Sequence, residues 1–208
     1  MQQSIMPVKD PKKYLQSVDP ILAAVIAQIQ LPYRKPSRRS RFEGLVEAIV
    51  SQQLSVKAAD TIFERFTQLF PGKNFPTPEE VANTSIAKLR SVGLSGSKAT
   101  YILDLAQKVS SKELKLQSLH RLEDEAVIEE LVKIKGIGRW TAEMFLMSSL
   151  NRPDLFSHGD LGLRNAIAKW YGFKKPLTQK QIEKIVQKWS PHRTLASRYL
   201  WKSLDLKK

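Results

Sequence analysis

Cysteine is absent from this 208-residue chain, and its absence excludes several kinds of chemistry. No disulfide can form, and no thiolate is present to act as a nucleophile or to bind zinc or an iron–sulfur cluster. Histidine is scarce as well: His120, His158 and His192 are too scattered in sequence to suggest a metal site. We also expect that the protein requires no cofactor.

Long hydrophobic runs are also missing. No stretch approaches the roughly 18 apolar residues that a membrane-spanning helix needs. The polar start of the chain, residues 1–4, lacks the basic and then apolar order of a signal peptide. We expect an intracellular protein without a membrane partner.

Acidic residues are few relative to basic ones. The chain has 34 Lys and Arg against 20 Asp and Glu, a net charge of +14. This excess favours a polyanionic partner bound in a salt-dependent way, with nucleic acid first and an anionic membrane surface second. Five of the basic residues fall in Leu31–Arg41, a linker-like segment that is either a solvated connection or a basic loop near DNA.

Strand patterns are nearly absent, whereas helical patterns recur along the chain. Two segments, Thr77–Glu80 and Thr178–Gln181, have the spacing of a capping box at a helix start. Helical spacing and helix-ending glycines together predict an all-α protein of about ten short helices. The apolar residues at helical spacing are Phe42, Leu45, Val46, Ile49, Val50, Ile182, Ile185, Val186 and Trp189, and the glycines are Gly72, Gly93 and Gly172.

The segment Leu131–Ala142 has the pattern of two helices joined by a glycine turn, Lys135-Gly136-Ile137-Gly138. Two glycines allow a sharp turn and leave backbone N–H groups unshielded, while the following helix start adds further N–H donors. Such a turn can hold a phosphate, with Lys133, Lys135 and Arg139 adding positive charge. The alternative is a plain corner between helices, and Leu89–Ala99 repeats the same plan weakly.

Beyond this turn come an apolar helix, a glycine-containing loop and Asp160, which opens the next helix. This order resembles the helix-hairpin-helix (HhH-GPD) superfamily of DNA glycosylases. Residues 42–55 and 136–142 resemble its 3-methyladenine DNA glycosylase II (AlkA-like) branch, and the match covers roughly Phe42 to Trp201. We expect the compact form without an N-terminal β domain.

The resemblance implies one glycosylase unit over 1–208, with two helical lobes around a DNA-binding cleft. We place these lobes at 1–41 plus 136–208, and at 42–135. The protein is expected to bind damaged double-stranded DNA as a monomer and to begin base excision repair.

The resemblance also assigns the catalytic role to Asp160, whose carboxylate would stabilise an oxocarbenium-like sugar while the N-glycosidic bond breaks. An ordinary helix N-cap is the competing interpretation of this residue. Trp140 stands where bifunctional relatives carry a nucleophilic lysine, which predicts hydrolysis without lyase activity. A catalytically silent, structure-specific DNA-binding protein is the alternative function.

The remaining expectations from the family concern how damaged DNA is held and how the target nucleotide is rotated out of the stack. Alkylated purines such as 3-methyladenine and 7-methylguanine are the expected lesions, with ethenoadenine, hypoxanthine and uracil left open. Packing in the core is the competing interpretation of Trp140 and Trp189, and an ordinary helix end that of the Gln53 turn. The expected base pocket is Trp140, Met144, His192 and Phe42; the DNA wedge is Gln53 or Leu54; the backbone-binding hairpin is Lys133, Lys135, Gly136, Gly138 and Arg139; and the carbonyls of Val132, Ile134 and Ile137 hold a Na⁺ or K⁺ ion.

Overall fold

The computed structural model describes residues 10–32, 39–72, 75–174 and 176–206. Every regular element within these ranges is a helix, which confirms the all-α prediction, and ten of the α-helices have eight or more residues. Residues 33–38 of the linker-like segment lie outside the described ranges. The α-helices are α1 (Pro11–Val18), α2 (Pro20–Ala27), α3 (Arg41–Ser51), α4 (Val56–Gln68), α5 (Pro78–Ala82), α6 (Ile86–Arg90), α7 (Gly96–Ser110), α8 (Asp124–Val132), α9 (Arg139–Ser148), α10 (Leu161–Trp170), α11 (Gln179–Val186) and α12 (Arg193–Ser203), with short 3-10 helices at Leu116–Arg121 and Gln187–Trp189.

The helix boundaries follow the signals in the sequence. Both predicted capping boxes form, with Thr77 and Thr178 each accepting a backbone N–H while the side chain three residues later reaches back. The three glycines predicted to end helices all have positive φ, between +72° and +102°. No helix in the described ranges is long and apolar enough to cross a membrane.

The chain divides into two compact units. We name Met1–Lys35 with Asn151–Lys208 the terminal unit, and Pro36–Leu150 the middle unit. This division differs from the expected lobes, which separated the hairpin's second helix from its first. Helix α9 packs against α8 and α3, so the whole hairpin belongs to the middle unit.

The terminal unit is built on one apolar core with a buried carboxylate at its edge. Asp19 caps α2 and is only 2% exposed; its Oδ2 accepts hydrogen bonds from Tyr171 Oη at 2.5 Å and Trp189 Nε1 at 3.0 Å. Burial and the neighbouring Asp19 raise the pKa of Tyr171. These bonds tie α2 to the end of α10 and to the 3-10 helix before α12. The core side chains include Leu15, Leu22, Ile26, Leu163, Ile167, Ile182, Val186, Trp189 and Leu200.

The middle unit buries the apolar face of α3, as its pattern predicts. All five apolar positions from Phe42 to Val50 are buried. A Cβ on Gly44 would lie 2.7 Å from Ser149 Oγ, so this glycine allows α3 to approach the end of α9 closely. That approach brings the α3–α4 turn toward the hairpin.

Candidate functional site

The hairpin turn between α8 and α9 depends on Gly136. Its φ is +79°, a left-handed conformation that other residues adopt at a cost. A Cβ at this position would also lie 2.0 Å from the Tyr101 ring. Backbone hydrogen bonds close the turn, with the N–H of Ile137 donating to the Ile134 carbonyl at 3.1 Å. Only glycine satisfies both the backbone and the packing here.

Gly138 differs from Gly136, because no contact within the described part of the chain requires it to be small. Its φ is −90°, and no heavy atom of the described residues lies within 4 Å of a Cβ built on it. It is the N-cap of α9, and no side chain caps that helix. The open space therefore lies at a helix start, where backbone N–H groups and the helix dipole favour an anion.

The basic side chains of the hairpin are largely matched by acidic ones. Lys133 Nζ lies 2.6 Å from Glu130. Arg139 forms a bidentate pair with Glu125 at 2.6 and 2.8 Å, and its Nε donates to Glu143 at 3.1 Å. The hydrogen bond to Glu125 raises the pKa of Arg139. Arg139 thus joins α8 to α9, and its expected contact with DNA stays a prediction that competes with this role.

Lys135 is the hairpin cation with the most exposed side chain, at 68%. Its backbone N–H donates to Asp104 Oδ2 at 3.0 Å, which anchors the turn to α7. Its ammonium group lies 4.0 Å from Asp104 Oδ1. An ion pair this long and exposed contributes little, so the ammonium group can still meet a phosphate.

The turn between α3 and α4 presents polar and apolar side chains to solvent. Gln53 is exposed and has φ +56°, which is uncommon for a residue other than glycine. Leu54 is 38% exposed and Val56 is 78% exposed. Ser55 caps α4 by accepting the Ala58 N–H at 3.3 Å, as the helix-end interpretation predicts. The turn therefore both begins α4 and forms an exposed, partly apolar tip.

Gln52 joins this turn to the hairpin. Its Nε2 donates to the Gly136 carbonyl at 2.9 Å and lies 3.4 Å from Thr141 Oγ1. Lys98 fixes the same turn from α7, with Nζ donating to the carbonyls of Val50 at 2.8 Å and Gln52 at 2.7 Å. Burial lowers the pKa of Lys98. No local pattern in the sequence indicates these roles for Gln52 and Lys98.

A cavity of about 370 Å³ lies between α3, α4 and α9. Trp140 and Met144 line it together, and Trp140 is 48% exposed rather than packed in the core. Phe42 does not belong to this cavity. It is 4% exposed and borders a separate one near Phe75 and Pro76, because the start of α3 faces the 75–78 segment. The structure thus brings two predicted pocket residues of the middle unit together and separates the third.

Two carboxylates also border the cavity that Trp140 and Met144 line. Glu47 and Asp60 are among its lining residues. Glu47 is paired with Arg39, and Asp60 is exposed. Asp60 therefore adds a carboxylate to the cavity lining, and it is close enough to Arg39 to help raise the pKa of that guanidinium.

Asp160 is held in place within the terminal unit. It is the N-cap of α10 and is 7% exposed. Its Oδ1 accepts the Leu163 N–H at 2.7 Å and the Trp201 indole N–H at 3.0 Å. The predicted N-cap role is observed, and the carboxylate is also fixed as a buried anion would need to be. Trp201 received no role from the sequence, since its spacing from Asp160 matches no local pattern.

The structure also shows the surroundings of Trp189 and the two histidines of the terminal unit. Trp189 is fully buried, which agrees with its interpretation as core. His192 is partly buried at the start of α12, edge-on to Tyr14 with ring centroids 5.3 Å apart. His158 Nε2 lies 3.1 Å from Glu183. No group of three or more potential metal-binding side chains occurs among the described residues.

The sequence is similar to a known protein family and to individual known proteins. The model of the HhH-GPD superfamily of base excision DNA repair proteins matches residues 46–192. DNA-3-methyladenine glycosylase 1 of Schizosaccharomyces pombe is 38% identical over 176 residues, covering 84% of this chain and 77% of that protein. The alkylbase DNA glycosidase-like protein mag2 of the same yeast is 31% identical, covering 93% and 92%.

Solved structures agree with these sequence relatives. The S. pombe 3-methyladenine DNA glycosylase Mag1 in complex with abasic DNA has a TM-score of 0.83 at 34% identity, covering 94% of this chain and 97% of that one. A DNA-3-methyladenine glycosidase from Bacillus halodurans has a TM-score of 0.80 at 37% identity, covering 96% and 92%. The chain belongs to the HhH-GPD superfamily of base excision DNA repair proteins.

Proposed function

We propose that this protein is a monofunctional DNA glycosylase that hydrolyses the N-glycosidic bond of alkylated purines in duplex DNA. The observation that carries the proposal is Asp160, a nearly buried carboxylate held by two donors at the start of α10. It follows a hairpin of the kind that binds DNA backbone, in a chain whose relatives are named 3-methyladenine glycosylases.

The chemistry requires a fixed negative charge. As the bond between base and sugar breaks, its electron pair leaves with the base and positive charge develops on the deoxyribose ring. The Asp160 carboxylate stabilises that charge, since a preorganised anion acts most strongly where charge develops. Water then adds to the anomeric carbon and loses a proton, which leaves an abasic site in an intact strand.

Trp140 supports hydrolysis by water rather than by a protein nucleophile. In bifunctional relatives, a lysine at this position attacks the sugar and permits strand cleavage. An indole offers no amine for a Schiff base. Lys135 lies before the glycine turn and contributes to phosphate binding instead.

The cavity beside Trp140 would receive the rotated base. Alkylation at N3 or N7 makes a purine cationic, and an aromatic face attracts a cation by about 0.5 to 2 kcal/mol. Asp60 on the cavity lining adds attraction of the same sign. Both features favour a positively charged base over a neutral one, which supports 3-methyladenine and 7-methylguanine over uracil or hypoxanthine. His192, in the terminal unit, remains a proposed base-binding residue.

The hairpin and the α3–α4 turn would hold the DNA. The N–H groups near Gly138 and the ammonium group of Lys135 suit a phosphate, while Gln53 or Leu54 would fill the space left by the rotated nucleotide. An inserted side chain offsets part of the unstacking cost of a few kcal/mol. Phosphate contacts position the strand without reading its sequence, as repair of scattered lesions requires.

A monovalent cation would suit the hairpin carbonyls of Val132, Ile134 and Ile137. Carbonyls at the end of α8 lack helical donors, and a carbonyl oxygen that accepts one hydrogen bond keeps a second lone pair. Exchanging KCl for choline chloride at equal ionic strength should lower the free energy of unfolding by about 1 kcal/mol if the ion is well above its Kd. Equal stability in both salts would remove the ion from the proposal.

The central experiment measures base release and abasic sites from methylated DNA. The wild type should release 3-methyladenine, and Asp160→Asn should not, although it should still bind the DNA. Asparagine can accept the same hydrogen bonds and is a good N-cap, so the variant should fold. Asp205→Asn, at an exposed aspartate paired with Lys202, is the matched control and should retain activity.

Three results would contradict the proposal in different ways. Binding without release by the wild type would favour the catalytically silent DNA-binding protein. Release unchanged in Asp160→Asn would remove the proposed mechanism. A protein–DNA adduct trapped by borohydride would show lyase chemistry. A panel with ethenoadenine, hypoxanthine and uracil would then define the range of lesions.

A further inference from the structure

We infer that Trp201 is a positioning residue for excision, which acts by fixing the Asp160 carboxylate through its indole N–H. The inference rests on the proposed function and adds a residue that neither the sequence pattern nor the family match over 46–192 assigns. It follows from a contact between α12 and the start of α10, both in the terminal unit.

The contact is specific to one oxygen of the carboxylate. Trp201 Nε1 donates to Asp160 Oδ1 at 3.0 Å, and the Leu163 N–H donates to the same atom at 2.7 Å. Two donors from different directions fix both the position of Oδ1 and the plane of the carboxylate. A capping bond alone would restrain rotation about the Cβ–Cγ bond less strongly than the two donors together.

Gly162 makes the contact possible. A Cβ at this position would lie 3.1 Å from Asp160 Oδ1 and 3.3 Å from Trp201 Cδ1, both tighter than ordinary contacts. Glycine inside a helix costs up to about 1 kcal/mol relative to alanine. Its presence in the first turn of α10 is explained if the indole and the carboxylate must approach over it.

Fixing the carboxylate matters because the anion acts on a transient charge. Electrostatic stabilisation depends on groups that are already in place when the charge forms. A displacement of about 1 Å can cost on the order of 100-fold in rate. The indole N–H is a neutral donor, so it holds the carboxylate without cancelling its charge.

Trp170 provides a matched control for the competing view, in which Trp201 serves only to fill space. Trp170 belongs to the same unit, and its buried indole Nε1 has no hydrogen-bond partner among the described residues. Replacing either tryptophan by phenylalanine removes an indole N–H and keeps an aromatic ring. Only at position 201 does the replacement remove a bond to Asp160.

The kinetic test compares Trp201→Phe, Trp170→Phe and the wild type on DNA containing a methylated purine. Trp201→Phe should lower the single-turnover excision rate roughly 10- to 100-fold, the range for a hydrogen bond to a charged group. Its KM and DNA affinity should stay within about twofold of the wild type, since Trp201 holds a group that acts only in the transition state. Equal rates in the two variants would overturn the inference.

Gly162→Ala tests the same contact from the other side. The added methyl group should displace Asp160 or Trp201 and slow excision, whereas Gly96→Ala, at a helical glycine with nothing within 4 Å of its Cβ, should not. An excision rate for Gly162→Ala equal to that of Gly96→Ala would contradict the inference.

Nuclear magnetic resonance of the indole N–H groups tests the contact without an activity assay. In Asp160→Asn a neutral amide replaces the charged acceptor, so the indole N–H resonance of Trp201 should shift more than that of Trp170. Equal shifts would mean that the contact is absent. If the wild type released no base while Trp201 still shifted, the proposed function would fail and the contact would stand as structural only.

Discussion

The two units of this protein differ in charge far more than in fold. The terminal unit carries 18 Lys and Arg against six Asp and Glu, a net charge of +12, whereas the middle unit carries 16 against 14, a net charge of +2. The hairpin lies in the nearly neutral unit. We therefore expect phosphate binding by the hairpin to depend on backbone geometry, and the long-range attraction for a polyanion to come from the other unit.

The acids of the terminal unit are engaged internally. Asp19 accepts hydrogen bonds from Tyr171 and Trp189, Asp154 pairs with Arg193 at 2.8 Å, and Asp160 caps α10. The remaining three, Asp10, Glu183 and Asp205, cap α1 or pair with His158 and Lys202. Exposed lysines recur at four-residue intervals along α11 and the 3-10 helix after it, at Lys180, Lys184 and Lys188.

The largest expected effect tests whether the middle unit acts through geometry. Gly136→Ala should lower the free energy of unfolding by about 2 to 6 kcal/mol, because it combines a strained φ with overlap on the Tyr101 ring. Gly72→Ala, with φ +87° and no atom of the described residues within 4 Å of the added Cβ, isolates the backbone cost. Denaturant unfolding measures both, and equal losses would show that the ring contact is unimportant.

The next effect tests whether the terminal unit supplies the long-range attraction. Changing Lys180, Lys184 and Lys188 together to glutamine should reduce the salt dependence of binding to undamaged DNA. The slope of log Kobs against log salt should fall in magnitude by about 0.9 for each phosphate that a lysine no longer neutralises, so by up to about 2.7.

The matched control removes three exposed lysines of the middle unit, Lys88, Lys112 and Lys115. Fluorescence anisotropy at several salt concentrations measures both triple variants. A larger change in slope for the middle-unit variant would reverse the comparison between the units.

Gly138→Ala separates binding from folding within the hairpin. Its Cβ would meet no atom of the residues that the structure describes, so stability should change by less than about 0.5 kcal/mol. A methyl group over the N–H groups at the start of α9 should weaken DNA binding about tenfold, or about 1.4 kcal/mol. Unchanged affinity in a titration would show that the phosphate does not approach this backbone.

The smallest expected effect concerns a charge of the middle unit that acts only locally. Asp60→Asn should lower the ratio of 3-methyladenine to hypoxanthine excision about threefold, the range for an exposed charge pair. The reason is that the neutral amide no longer favours a cationic base in the cavity. Competition assays measure the ratio, and an unchanged ratio would mean that Asp60 does not face the base.

Local chemistry was predictable from the sequence wherever partners are close along the chain. The capping boxes at Thr77 and Thr178, the hairpin glycines and the buried face of α3 each involve residues within one or two helical turns. Such signals depend on short-range backbone geometry, which residue type and spacing largely determine.

Distant contacts were not predictable in this way. Gln52 meets Gly136 from 84 positions away, and Trp201 meets Asp160 from 41. The pairing of Arg139 with Glu125, 14 positions before it on the facing helix, was not predicted either, and the expected contact of Arg139 with DNA stays a prediction. Phe42 was predicted to line the base pocket, but it borders a separate cavity. Residue type alone does not show which side of α3 borders which cavity.

The hydrogen bond from Gln52 to the Gly136 carbonyl has a further consequence. Because the Gln52 side chain bonds the α3–α4 turn to the hairpin, it restrains the distance from Gln53 and Leu54 to the Gly138 backbone. A phosphate seated at the hairpin would set how deeply the tip at Gln53 enters the stack.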